Sequence, residues 1–144
     1  MLRTIGLARP DGEIYANQLG KLQETLALSE HLAIMLKKIS RRRSATLLDC
    51  ACGKGYVAFM LNYLTILREA RSTHFIGVDK NPQLIQKCKE TQRMLSLDNM
   101  SFHTSNIIEF APNIKPDIVY CLHACDTATD EAIAKGILLN SRFI

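Results

Sequence analysis

The sequence predicts an α/β fold, in which a doubly wound parallel sheet is packed against helices. Short apolar runs alternate along the chain with stretches whose apolar residues recur every three or four positions. This alternation is typical of βαβ units, because two parallel strands need a crossover, usually a helix, between them. The clearest example is the apolar run at 45–51, which ends in a glycine-containing turn and passes into a helical stretch. We therefore expect one domain over residues 1–144, with its sheet beginning near residue 45.

Length and composition support a single globular domain and exclude several classes of protein. The chain has 144 residues, of which 47% are apolar and 22% charged, close to globular averages. No apolar run is long enough to cross a bilayer, and the first ten residues do not resemble a signal peptide. Five cysteines without an export signal are expected to be free thiols. We expect a cytoplasmic protein, and its net charge of +4 identifies no partner.

The remaining elements follow in chain order from periodicity and turn residues. A helix is expected over about 18–40, where leucines recur on one face. The helix after the first strand runs from Val57 to about 71, and a second strand follows at 74–79. Pro82 suits the first turn of the next helix, which extends to about 96. The last elements are strands at 100–104 and 117–122 and a helix over about 129–139.

The turn after the first strand is the first candidate for a binding site. Gly53 and Gly55 let the backbone turn sharply and approach a ligand without a Cβ in the way. In an open parallel sheet, ligands bind beyond the carboxyl ends of the strands, where this turn lies. Two glycines alone are equally consistent with an ordinary tight turn between a strand and a helix.

Asp79 adds a second indication, because it ends the second strand 24 residues after Gly55. Its two carboxylate oxygens suit the two hydroxyls of a ribose, whereas a solvated carboxylate at a strand end is the alternative. Together with the glycine turn, Asp79 indicates an adenosine-type ligand. The spacing from Gly53 through Gly55 to Ala58 also fits the dinucleotide fingerprint, so a nicotinamide-dependent oxidoreductase stays open at this point.

The segment from Leu47 to Tyr56, LLDCACGKGY, resembles the first motif of class I S-adenosylmethionine-dependent methyltransferases. That motif is an acidic residue followed by small residues or glycines at alternate positions. The resemblance implies that Asp49 lies beside the methionine part of the cofactor and binds its ammonium group, and that Asp79 holds the ribose. It favours the methyl donor over a nicotinamide cofactor, because a dinucleotide has no cationic amino-acid tail.

The resemblance implies further site residues in the later turns. Asn106 stands where the family often has an acidic residue against the adenine, and an amide oxygen can still accept from the adenine amine. Ala51 replaces the usual first glycine, which costs little if its φ is negative. The residues expected to bind the cofactor are Asp49, Ala51, Gly53, Gly55, Asp79, Lys80, Asn106 and Leu122.

The segment Cys121 to Asp126, together with Cys52 to Tyr56, is similar to a subgroup of methyltransferase-like domains. His123 and Asp126 are candidates for a substrate-side acid–base pair, with helix capping by the aspartate as the alternative. Methyl transfer needs a base only if the nucleophile arrives protonated. The cysteines have no zinc-knuckle spacing, so we expect no metal. The acceptor stays open among RNA, protein and small molecules.

Four strands can be identified here, whereas the class I sheet has seven. The resemblance therefore implies the cofactor-binding part of a methyltransferase, truncated after about the fourth strand. Because exposed edges pair with other strands, we expect either that residues from about Leu138 fold back beside this strand or that the chain self-associates there. A catalytically idle cofactor-binding or interaction module is the alternative to an active enzyme, and little transfer is expected from the isolated chain.

Overall fold

The chain folds into four strands and four helices within the residues that the computed structural model describes, 1–65, 71–122 and 127–144. A single 3-10 turn, Ala16–Gln18, precedes the first helix. Each predicted element is present, although several are shorter than expected. The elements are α1 (Leu19–Lys37), β1 (Ala45–Cys50), α2 (Tyr56–Leu64), β2 (Thr73–Asp79), α3 (Pro82–Met94), β3 (Met100–Thr104), β4 (Ile118–Tyr120) and α4 (Ala128–Leu138).

The four strands form one parallel sheet in the order β3-β2-β1-β4. The chain proceeds from β1 outward through β2 to β3 and then returns to place β4 on the other side of β1. Asp49 at the end of β1 pairs in register with Gly77 of β2 and with Tyr120 of β4. The predicted doubly wound parallel sheet is confirmed. The order in which the chain adds strands reverses between β1 and β4, and ligands bind at such a switch point.

Helices cover both faces of the sheet. One core cluster joins α1, α2 and α3 to the face of β1 that carries Leu47. The second cluster joins α4 to the opposite face, which carries Leu48 and Cys50. Every residue of β1 is buried, as expected for a parallel strand with helices on both sides. None of the described helices is long and apolar enough to span a bilayer.

The start of α3 follows the signals that the sequence predicts. Asn81 caps the helix, because its side-chain oxygen accepts from the N–H groups of Gln83 at 2.9 Å and Leu84 at 3.3 Å. Pro82 occupies the first turn, where its missing N–H leaves no hydrogen bond unmade. This cap starts α3 three residues after Asp79, the last residue of β2, so the position of Asp79 is fixed by the strand before it and the helix after it.

The last residues of the chain fold back beside β4. The N–H group of Val119 donates to the carbonyl of Phe143 at 3.0 Å, and the N–H group of Phe143 donates to the carbonyl of Asp117 at 3.1 Å. Phe143 thereby forms a single parallel bridge with Ile118. Of the two alternatives expected for this edge, the structure has the folded-back segment, although as one bridge rather than a strand. Self-association through the same edge stays a prediction.

Candidate functional site

A cavity of about 550 Å³ opens at the carboxyl end of the sheet. The turns after all four strands line it, together with α1 and the first turn of α4. Cavities of this size bind small molecules and cofactors in other proteins. Seven of the eight residues expected to bind a cofactor line this cavity, namely Asp49, Ala51, Gly53, Asp79, Lys80, Asn106 and Leu122.

Gly55 is the expected site residue that does not line the cavity. It precedes α2 with a φ of +68°, a backbone conformation that favours glycine. A Cβ at Gly55 would lie 3.1 Å from the Phe59 ring and 3.3 Å from the Cys88 sulfur. The packing of α2 against α3 and β3 therefore accounts for a glycine at this position, and its contact with a cofactor stays a prediction.

Asp49 is a buried carboxyl group at the floor of the cavity, with an exposed fraction of 4%. Burial raises the pKa of Asp49 to about 8, the Tyr120 hydroxyl lowers this pKa, and the charge of Asp79 raises it. The Tyr120 hydroxyl is itself buried, and within the described part of the chain it has no partner at ordinary hydrogen-bond distance and angle. No lysine or arginine of the described residues forms an ion pair with Asp49. A buried carboxyl without a cation is suited to bind a cationic group of a ligand.

Asp79 connects the glycine turn to the start of α3. One carboxylate oxygen accepts from the N–H group of Gly53 at 2.8 Å, and the other accepts from the N–H group of Asn81 at 2.8 Å. Because a carboxylate offers about four lone-pair positions, each oxygen keeps one for a further donor. Asp79 therefore holds the turn in shape and can still accept from two hydroxyl groups.

Ala51 departs from the expectation about its backbone. Its φ is +56°, in the left-handed region, so the condition under which this replacement of glycine costs little is not met. A side chain in this conformation costs roughly 1–2 kcal/mol. The strain lies in the turn between Asp49 and Gly53, directly beside the cavity.

The turn after β3 contributes Asn106 to the cavity, and hydrogen bonds from a side chain of α4 hold this turn in place. The Asn106 amide nitrogen donates to Glu109 at 3.0 Å, which leaves the amide oxygen available as an acceptor. The ammonium group of Lys135 donates to the carbonyls of Ile108 and Phe110, the second at 2.7 Å. Lys135 is buried on α4. Sequence reasoning missed it, because a single lysine in a helix gives no signal that its side chain points inward.

Sequence reasoning also missed the contribution of α1. Lys21 and Thr25 line the cavity, although nothing in the motif pattern points to this helix. Their spacing of four residues places them on one helical side, and Thr25 is buried together with Ser29 and Leu32. Thr25 and Ser29 are two hydroxyl residues in the buried stripe that also holds leucines, and this is the signal that would have identified α1 as part of the site.

The two candidates for an acid–base pair, His123 and Asp126, lie outside the described residues, as does Cys125 of the same segment. Within the described ranges, no group of three or more metal-ligating side chains comes together. The absence of a metal stays a prediction. The described cysteines, Cys50, Cys52, Cys88 and Cys121, are free thiols.

Comparisons with known proteins place this geometry among known folds. A family model described as a methyltransferase domain matches residues 20–144. A search of curated protein sequences found no match. The structure is similar to magnesium protoporphyrin IX methyltransferase from Synechocystis PCC 6803 with bound SAH, at 18% identity and a TM-score of 0.66. That match covers 96% of this chain and 60% of the solved one.

Two further solved structures show the same fold. The Synechocystis PCC 6803 enzyme with bound SAM matches at 20% identity and a TM-score of 0.63, covering 96% of this chain and 62% of that one. Geranyl diphosphate methyltransferase in complex with GPP and sinefungin matches at 16% identity and a TM-score of 0.59, covering 76% and 38%. The chain thus spans about three fifths of the length of the first of these proteins.

Proposed function

The chain belongs to the methyltransferase-domain family, and on that premise we propose that it binds S-adenosylmethionine and transfers the methyl group to an acceptor. One observation carries the proposal: Asp49 and Asp79 face the same cavity from neighbouring strand ends, with the Gly53 turn between them. A buried carboxyl and a backbone-bound carboxylate suit the two polar ends of this cofactor, its ammonium group and its ribose.

The residues around the cavity fit the proposed cofactor. Asp49 would bind the ammonium group, because it is buried and has no cation partner among the described residues. Asp79 would bind the ribose hydroxyls with the lone pairs that its two backbone contacts leave unused. The Asn106 oxygen would accept from the adenine amine, and Ile107 and Leu122 supply apolar surface beside the rings.

The chain's contribution to the reaction is orientation. The bound cofactor supplies an electrophilic methyl group on a sulfonium. Asp49 would hold the amino-acid end of the ligand and Asp79 its ribose, on either side of the sulfur, which would fix the direction of the methyl group for in-line attack. The cavity walls exclude part of the water around the reacting groups. His123 and Asp126 stay candidates for a base, which is needed only where the acceptor arrives protonated.

Free thiols are consistent with a reducing compartment, and we place the protein in the cytoplasm as part of this proposal. The alternative, a catalytically idle cofactor-binding module, also predicts that the chain binds S-adenosylmethionine. Transfer of a labelled methyl group to RNA, protein or small-molecule fractions of a cell extract distinguishes an active enzyme from an idle module.

The binding proposal is tested by calorimetry with S-adenosylmethionine, S-adenosylhomocysteine and NAD. We expect both methionine derivatives to bind, and Asp79→Ala to weaken their binding by about 1–3 kcal/mol, the loss for a charged hydrogen-bond acceptor. Asp98→Ala is the matched control, because Asp98 is exposed and outside the cavity. Tight binding of NAD with no response to either methionine derivative would contradict the proposal, and unchanged affinity in Asp79→Ala would remove this residue from the site.

A further inference from the structure

The first helix presents an unpartnered hydroxyl group to the cavity. Thr25 has an exposed fraction of 1%, yet it lines the cavity, and its Oγ1 atom has no hydrogen-bond partner among the residues that the structure describes. The Ser29 hydroxyl, one turn later, donates to the backbone carbonyl of Thr25 at 2.7 Å and not to its side chain. Buried hydroxyl groups are normally hydrogen-bonded, and an unmade bond is unfavourable. The orphaned Oγ1 atom therefore indicates a ligand group at this position.

A cation lies next to this hydroxyl on the same side of the helix. Lys21 precedes Thr25 by four residues, one helical turn, and also lines the cavity. Its ammonium nitrogen lies 5.6 Å from the centroid of the Tyr56 ring, which holds the side chain at the mouth of the cavity. Within the described parts of the chain, no carboxylate forms an ion pair with Lys21.

Together the two groups are suited to bind an anion, because one is a cation and the other a hydroxyl donor. The proposed cofactor ends in an amino acid, so its carboxylate is attached to the same carbon as the ammonium group that Asp49 would bind. That carboxylate would therefore lie close to Asp49, and it needs donors to offset the repulsion between the two negative charges. Among the cavity-lining groups, the Thr25 hydroxyl and the Lys21 ammonium are the donors that α1 brings to this end.

We propose that Thr25 and Lys21 of α1 bind the carboxylate of the cofactor's amino-acid end. The inference rests on the proposed function and assigns to α1 a role that no sequence motif carries. Asp49 and the α1 pair then recognise the two charges of the amino-acid end from opposite sides. The site thereby distinguishes the complete cofactor from a nucleoside that lacks this end.

Two ligands distinguish a role of Thr25 and Lys21 in binding the carboxylate from a general effect on the shape of the cavity. S-adenosylhomocysteine carries the amino-acid end, whereas 5′-methylthioadenosine has the same nucleoside and sulfur without it. We expect Thr25→Val and Lys21→Met each to weaken binding of S-adenosylhomocysteine about tenfold or more, the effect of losing a charge-assisted hydrogen bond. Binding of 5′-methylthioadenosine should be unchanged in both variants. Thr25→Ser keeps the hydroxyl and should keep the affinity.

Lys38→Met is the matched control, because Lys38 lies at the opposite end of α1 and away from the cavity. Equal affinity of wild type and both variants for S-adenosylhomocysteine would overturn the inference. An equal loss for both ligands would also overturn it, because it would show that α1 acts by packing. Failure of the wild type to bind S-adenosylhomocysteine would instead refute the proposed function, so the two failures are distinguishable.

Discussion

Binding of the amino-acid end of the cofactor should depend on pH, because burial favours the protonated form of the Asp49 carboxyl. Burial raises its pKa to about 8 from the usual 3.8, so the carboxyl is mostly neutral at pH 7. Ionisation in the cavity costs on the order of 5 kcal/mol relative to water, since one pKa unit is worth about 1.4 kcal/mol. An ammonium group binds the ionised form, so the ligand must displace the proton.

The magnitude follows from the fraction of Asp49 that is ionised. With a pKa of about 8, this fraction rises about tenfold for each pH unit below 8. Affinity for S-adenosylhomocysteine should therefore increase about a hundredfold from pH 5.5 to 7.5, a range in which the ligand keeps its own ammonium proton. Two buried neighbours of Asp49 do not ionise in this range, because burial raises the pKa of the Cys50 thiol to about 12 and that of the Tyr120 hydroxyl well above its usual value of 10.

Calorimetry in two buffers of different ionisation enthalpy measures both the affinity and the number of protons released on binding. Near pH 7, close to one proton should be released for each ligand bound by the wild type. Asp49→Asn should bind at all pH values about as weakly as the wild type does at pH 5.5, and it should release no proton. The ligand 5′-methylthioadenosine is the control, because it lacks the ammonium group and should bind independently of pH.

Two results would refute this reasoning about Asp49. The first is an affinity of the wild type for S-adenosylhomocysteine that does not change over the range. The second is an Asp49→Asn variant that retains the pH dependence, which would show that another group takes up the proton.

Two backbone positions provide the remaining tests, both read from thermal unfolding. Ala51→Gly should stabilise the protein by about 1 kcal/mol, because the φ of +56° strains an alanine and not a glycine; a lower midpoint would contradict this account of the turn. Gly77→Ala should destabilise the protein by about 1–3 kcal/mol, since its Cβ would lie 2.5 Å from the Phe102 ring. Gly20→Ala is the control, because nothing lies within 4 Å of a Cβ there; equal midpoints for these two alanine variants would show that Gly77 is not tightly packed.

Local patterns were sufficient to predict the elements and most of the acidic and turn residues that line the cavity. The alternation of apolar periods predicted the helices and strands, because burial on one side of a helix and on both faces of a parallel strand leaves different periods. The sequence predicted that Asp49 and Asp79 lie close together, because the carboxyl ends of adjacent parallel strands meet at one edge of the sheet. The structure confirms that both carboxyl groups face one cavity.

The tertiary structure decided the features that depend on contacts between distant parts of the chain. Gly55 was expected at the ligand, but its missing Cβ makes room for Phe59 and Cys88. The orphaned hydroxyl of Thr25 and the raised pKa of Asp49 exist only because α1 and the sheet exclude water from these groups.

The amino-acid sequence by itself thus determined the elements, the order of the turns and the acidic residues at the strand ends. The packing of the elements decided which side chains reach the cavity and which carry a proton there. The physical reason is that periodicity records which face of an element is buried, whereas desolvation and steric contact depend on what each face is buried against.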